Sequence, residues 1–225
     1  MAYEGNRRDY YSGRNLEADT IGVQPWDENK PYQKKLEILV NNYQKPEMQK
    51  KGFVPYDQAV SLIREFYPGD PTNPEKDLTN DLMIELREEF GIDEDDGLGD
   101  RMKFYSAIKT PLDFFHGVDG WFEFENPGGR KVIISVDVTS NIKLTLEDEK
   151  NKADIIIVHT EDRALVGTLR EIPDHDFNRT VRVLYAPIAD PTHKYYAKEG
   201  GTIDFLTEHL AKAFKEKGII IKKAA

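Results

Sequence analysis

Residues 118–139 read VDGWFEFENPGGRKVIISVDVT, and their alternation decides the fold class. Over 118–125 and 131–139 side chains repeat with a period of two, the signature of strands rather than helices. The loop between them, Asn126 to Arg130, carries a proline and two glycines and reads as a short hairpin connection. In the second strand Val132, Ile134, Val136 and Val138 share one face. Ser135, Asp137 and Thr139 share the other. Antiparallel pairing sets the start of the first strand beside the end of the second. Asp119 and Asp137 are therefore expected to be neighbours at one end of a sheet.

Outward from this hairpin the period changes. Leu82, Met83, Leu86 and Phe90 mark a helix over 77–90, stopped by Gly91. Shorter helices are expected at 33–44 and 56–67, another at 101–109, and an amphipathic one at 203–217 with Thr202 as its N-cap. The uninterrupted run DIIIVH at 154–159 predicts a strand covered on both faces. Further strands are expected at 164–169 and 181–187. Residues 142–152 fit either a strand or a helix, and the acidic run Ile92 to Asp100 fits a solvated loop. Residues 1–32 are polar and aperiodic, and read as an extended arm. The division expected is an arm at 1–32, a helical segment at 33–76 and an α/β domain at 77–225.

The chain has 225 residues, no cysteine and a formal net charge of -10. The missing cysteines exclude disulfides, thiolate catalysis and thiolate metal sites. No apolar run approaches the ~20 residues that span a bilayer, and the N-terminal residues carry no apolar leader segment. A cytoplasmic protein without a membrane partner is expected. An acidic surface repels nucleic-acid backbone, so contact with DNA would need local basic patches. One candidate is the tail from His209 to Ala225, with five lysines against one glutamate; a solvated surface is the simpler explanation of it. His159, His175, His193 and His209 show no metal-ligand spacing.

A carboxylate inside VIISVDVT is costly to bury alone, so Asp137 needs a partner, a metal or water. Two convergent carboxylates suit Mg²⁺, which takes oxygen ligands. This constellation resembles the PD-(D/E)XK nuclease superfamily, the restriction-endonuclease-like fold, over the segment 77–160. Asp119 matches the first acid of its motif and Asp137 the second. The resemblance implies a mixed sheet flanked by helices, Mg²⁺ or Mn²⁺ as cofactor, and hydrolysis of phosphodiester bonds in DNA. In that family the preceding helix often supplies a glutamate; Glu85, then Glu89, borders the apolar stripe, whereas Glu88 points away. Thr139 stands where the family has its lysine, and Lys143, four residues on, is the replacement expected. Lys131 cannot substitute, since it lies six residues upstream of Asp137, about 20 Å along an extended strand. Asp113 and His116 lie just upstream and could line the same pocket, although a plain loop role fits both.

Two other readings compete. A catalytically inactive nuclease-fold protein could serve assembly, for example of a virus particle or large complex, docking a protein partner or a second copy through residues 1–32. A regulatory nucleic-acid binder could use the basic tail.

Overall fold

In a computed structural model, residues 13–92, 99–126, 128–140, 153–174, 179–187 and 201–219 are described. Among them six strands form one mixed sheet: β1 (Met102–Ser106), β2 (Gly120–Glu125), β3 (Lys131–Thr139), β4 (Ile155–Thr160), β5 (Leu169–Asp174) and β6 (Arg179–Pro187). Their order across the sheet is β1-β2-β3-β4-β6-β5. The first three run antiparallel, β3, β4 and β6 run parallel, and β5 closes the far edge antiparallel to β6. The hairpin forms in the expected register, with Gly120 opposite Val136 and Glu125 opposite Lys131.

Among the described residues seven α-helices accompany the sheet: α1 (Gly13–Ile21), α2 (Lys30–Asn41), α3 (Pro46–Gln49), α4 (Tyr56–Glu65), α5 (Asp77–Glu89), α6 (Pro111–His116) and α7 (Gly201–Glu216). The valine face of β3 enters one core with Leu16 of α1, Leu82 of α5 and Leu210 of α7. The opposite face of β1 and β2 enters a second core, where Tyr105 and Trp121 meet Trp26, Tyr32 and Ile63. The result is an α/β sheet flanked by helices, as expected. β4 is buried at all six positions, which is why its sequence shows no polar alternation. No helix among the described residues is long and apolar enough to cross a membrane.

Three expectations need correction. The helix expected at 101–109 is absent, and residues 102–106 form β1 instead. Met102 and Phe104 enter the first core while Tyr105 enters the second, so burial on both faces erases the period-two signal. The strand expected at 164–169 begins only at Leu169. Before it, Asp162 closes a turn, accepting from the Ala164 N–H on its side chain and the Leu165 N–H on its carbonyl, both at 3.0 Å.

The third correction concerns residues 1–32. From Gly13 the expected arm is folded structure. Leu16 and Ile21 belong to the first core, Trp26 and Tyr32 to the second, with the latter rings 4.8 Å apart. These buried residues are engaged within the chain, and do not form the docking arm that the assembly reading needs. Nor is 33–76 a separate unit, because Val54 and Ile63 share the second core with the sheet. Apolar residues spaced 16, 21, 26 and 32 among polar neighbours match no single period, which is why the sequence hides them. The ambiguous stretch 142–152 and most of the acidic run lie outside the described residues.

Candidate functional site

The site is built where α6 hands the chain to β2. Thr110 caps α6 by accepting from the Leu112 N–H at 3.2 Å, and Pro111 occupies its first turn. Gly117 ends the helix with φ 56°, a left-handed conformation that glycine adopts without strain. Two residues later the chain enters the sheet at Asp119. Its N–H donates to the Val136 carbonyl at 2.9 Å, and its carbonyl accepts from the Ala107 N–H at 2.6 Å. Its Oδ2 accepts from the Val138 N–H at 2.8 Å. Backbone on both sides therefore fixes the residue, and only 2% of it is exposed.

Gly120 follows because nothing larger fits. A Cβ there would lie 2.8 Å from both the Tyr105 carbonyl oxygen and the Phe104 ring. The Asp-Gly pair is thus a steric requirement of bringing β1 against β2.

Around Asp119 the structure gathers carboxylates from distant segments. Oxygens of Glu17 on α1, Asp113 on α6 and Asp119 all lie within 4.8 Å of one another. Glu17 is brought in because α1 packs against β3 and because the Ser106 hydroxyl holds the Gly22 carbonyl at 2.5 Å. Asp113 is steadied by the Lys109 N–H, 2.8 Å from its Oδ2. Lys109 adopts φ 67° in doing so, a conformation that costs a non-glycine residue about 1–2 kcal/mol. Asp137, half-buried on the polar face of β3, is the strongest influence on Asp119 after burial itself. Burial, then Asp137, Glu17 and Asp113, push the Asp119 carboxyl well above the usual carboxylate range, against the opposing pull of the Val138 N–H. Such a group favours its proton, or a cation in the proton's place.

The sequence expectations fare unevenly against this geometry. Asp119 and Asp137 come together. Glu85 does not join them: it lies along α5 facing α7, where burial, Glu88 and Asp204 raise its carboxyl. Glu89 sits in the same groove, paired with Lys215 at 2.6 Å. The helix that supplies the extra glutamate is α1, inside the segment read as an arm, and Leu16 and Ile21 are the only sequence signal for it. Asp113, read as a loop residue, belongs to the cluster. His116 is buried with its Nε2 2.9 Å from the Val54 carbonyl, and its ring packs on Phe53 and Tyr56, a structural role. Lys131 is occupied with Glu123 at 3.3 Å, at the other end of β3. Lys143 lies outside the described residues. His159 is buried on the Pro187 carbonyl, and burial lowers its affinity for a second proton.

Oxygen donors of this kind are what Mg²⁺ or Mn²⁺ takes. Comparison with protein families, with curated proteins and with solved structures finds no match for this chain.

Proposed function

We propose that this chain is a metal-dependent, nuclease-like protein that hydrolyses phosphodiester bonds, with DNA as the substrate implied by its resemblance to the PD-(D/E)XK superfamily. The observation that carries the reading is the burial of Asp119 among Glu17, Asp113 and Asp137. Like charges at such distances are strongly unfavourable in a water-poor site unless a proton or cation intervenes. The hairpin geometry, with the two motif acids at one end of neighbouring strands, agrees with the same reading.

Glu17, Asp113 and Asp119, assisted by Asp137, would hold the Mg²⁺ or Mn²⁺ ion. When bound, such an ion lowers the pKa of a coordinated water and offsets charge on a phosphodiester. The chain's own part is to fix the carboxylates: the Val138 N–H orients Asp119, and the Lys109 N–H orients Asp113. Thr139 supplies no positive charge at the motif position, so Lys143 takes the lysine's charge-stabilising role in this reading.

The test is calorimetric titration of Mn²⁺ and Mg²⁺ into the wild type and into Asp119→Asn, followed by cleavage of end-labelled DNA by both. Metal binding and cleavage that disappear together in the variant support the proposal. Cleavage that survives in Asp119→Asn, or in an Asp119→Ala/Asp137→Ala double variant, sinks the site assignment. A wild type inert toward DNA and RNA with metal present sinks the enzymatic reading.

A further inference from the structure

A second polar site adjoins the first along β3. Ser135 and Asp137 are alternate residues on the same face, ~7 Å apart along the strand, and Ser135 lines a groove of about 790 Å³. Tyr56 connects the groove to α6, the helix that carries Asp113. Its ring packs edge-on against His116 of the α6 side at 5.5 Å, and it too lines the groove, where it is hydrogen-bonded to Ser135.

The groove is basic although the chain is acidic. Arg130 comes from the β2–β3 hairpin, Lys131 from the start of β3, Arg179 from the start of β6, and Lys217 from just beyond α7. Segments far apart in sequence thus deliver four cations to one hollow. Its two carboxylates are already engaged. Asp154 accepts from the Ser135 N–H at 2.9 Å and hydroxyl at 2.8 Å, and pairs with Lys217 at 2.8 Å and Arg179 at 3.6 Å. Glu216 takes both oxygens to Arg182 at 2.7 Å. The Arg130 guanidinium donates to the Lys217 carbonyl at 3.0 Å and has no carboxylate within ion-pair distance among the described residues. Lys131 and Lys217 keep 41% and 42% of their side chains exposed. Lys131 and Arg179 are also paired outside the hollow, with Glu123 at 3.3 Å and Asp174 at 2.9 Å. The positive charge the hollow offers a ligand therefore rests on Arg130 and the half-exposed Lys217, on the sheet face that also carries Asp137.

We infer that this groove is a phosphate subsite that holds the backbone of a polynucleotide strand running along β3 toward the carboxylate cluster, with Arg130, about 20 Å from Asp137 along the extended strand, and Lys217, which reaches the Ile133 carbonyl at 2.9 Å, as its principal contacts. The inference rests on the nuclease-like reading and names where the strand runs.

The test is the binding of a short fluorescein-labelled single-stranded DNA, followed by anisotropy in EDTA across a salt series. EDTA keeps binding separate from cleavage. Arg130→Gln/Lys217→Gln is compared with Lys34→Gln/Lys35→Gln, which removes equal charge from the exposed surface of α2. The groove variant is expected to bind roughly fivefold more weakly or worse and to lower the salt slope by about 1.4, since each phosphate neutralised on a single strand contributes ~0.7. The α2 variant is expected to stay near wild type. Equal weakening by both variants, or by neither, overturns the subsite. If Lys217→Gln unfolds the chain, Arg130→Gln alone carries the test. Inorganic phosphate that displaces the DNA only at concentrations that any salt would match supports a polynucleotide site. Displacement well below that level points to a free phosphate ligand and overturns the strand assignment. Groove-dependent binding without cleavage would refute the enzymatic reading alone; cleavage indifferent to the groove would refute the subsite alone.

Discussion

The side chain of Asp119 is clamped by the backbone of β3, its Oδ2 accepting the Val138 N–H at 2.8 Å, one residue from Asp137. The clamp holds a carboxyl where burial and three neighbouring acids raise its pKa. A raised folded-state pKa means that the folded chain binds more protons than the unfolded one between the ordinary carboxylate value and the raised one. Stability is then fullest at low pH and declines as pH rises through that window. In EDTA, Asp119→Asn keeps an oxygen for the Val138 N–H but cannot ionise. It is expected to be more stable than wild type at neutral pH by about 1 kcal/mol, or ~2–4 °C in Tm for a chain of this size. The gain should shrink toward acid pH and be reversed by saturating Mn²⁺, which favours the wild type. Thermal unfolding across pH measures it; a variant less stable than wild type at neutral pH without metal would contradict the placement of the charge.

Glu17 and Glu85 compete for the helix-borne glutamate. Glu17 shares the cluster with Asp113 and Asp119, whereas Glu85 faces α7. Glu17→Gln is expected to weaken Mn²⁺ binding at least ~10-fold, or about 1.4 kcal/mol. Glu85→Gln should leave binding unchanged and alter stability by no more than ~0.5 kcal/mol, as for most surface substitutions. Calorimetry on the two variants decides it, and the opposite ranking would restore the sequence-based choice.

Sequence pattern and structure agree where one periodic signal is enough. The hairpin, its register, the twice-covered β4 and the convergence of Asp119 with Asp137 follow from period two and antiparallel pairing. The pattern fails where burial on two faces cancels alternation, as in β1. It fails again where tertiary packing rather than propensity forms the element, as in α1. Glu17 is hidden from the sequence for that second reason: its helix has few apolar residues, and its place beside Asp119 comes from long-range contacts such as Ser106 with Gly22. Asp113 reads as a plain loop residue because its role needs the tight Gly117 turn, which folds α6 back toward β2.

Gly120 tests how closely β1 and β2 must approach. A methyl group would meet the Tyr105 carbonyl oxygen and the buried Phe104 ring at 2.8 Å, and the carbonyl cannot retreat without opening the strand pair. Gly120→Ala is expected to lose about 1–3 kcal/mol in chemical denaturation. It should also weaken metal binding by displacing the adjacent Asp119. A Gly120→Ala protein of wild-type stability and affinity would mean that β1 and β2 can separate slightly without cost.

Glu123 makes a different use of buried charge on the same strand. It is 1% exposed, and its Oε2 accepts from Arg64 Nε at 2.9 Å and Nη2 at 2.6 Å, while Lys131 approaches Oε1 at 3.3 Å. The pair ties α4 to β2 across the second core. The partners are unequal, because the Arg64 side chain is 28% exposed and can turn to water, whereas Glu123 cannot. Arg64→Ala leaves a buried carboxylate with only the more exposed Lys131, and is expected to cost about 3–5 kcal/mol. Glu123→Gln keeps an acceptor in place and should cost less, on the order of 1–2 kcal/mol. The double variant should fall short of the sum, since the second substitution removes a group whose partner is already gone. Urea denaturation of the four proteins closes the cycle. Additive losses would mean that the ion pair contributes no coupling, and that the packing of α4 on β2 rests on apolar groups around the stacked rings of Tyr105 and Trp121.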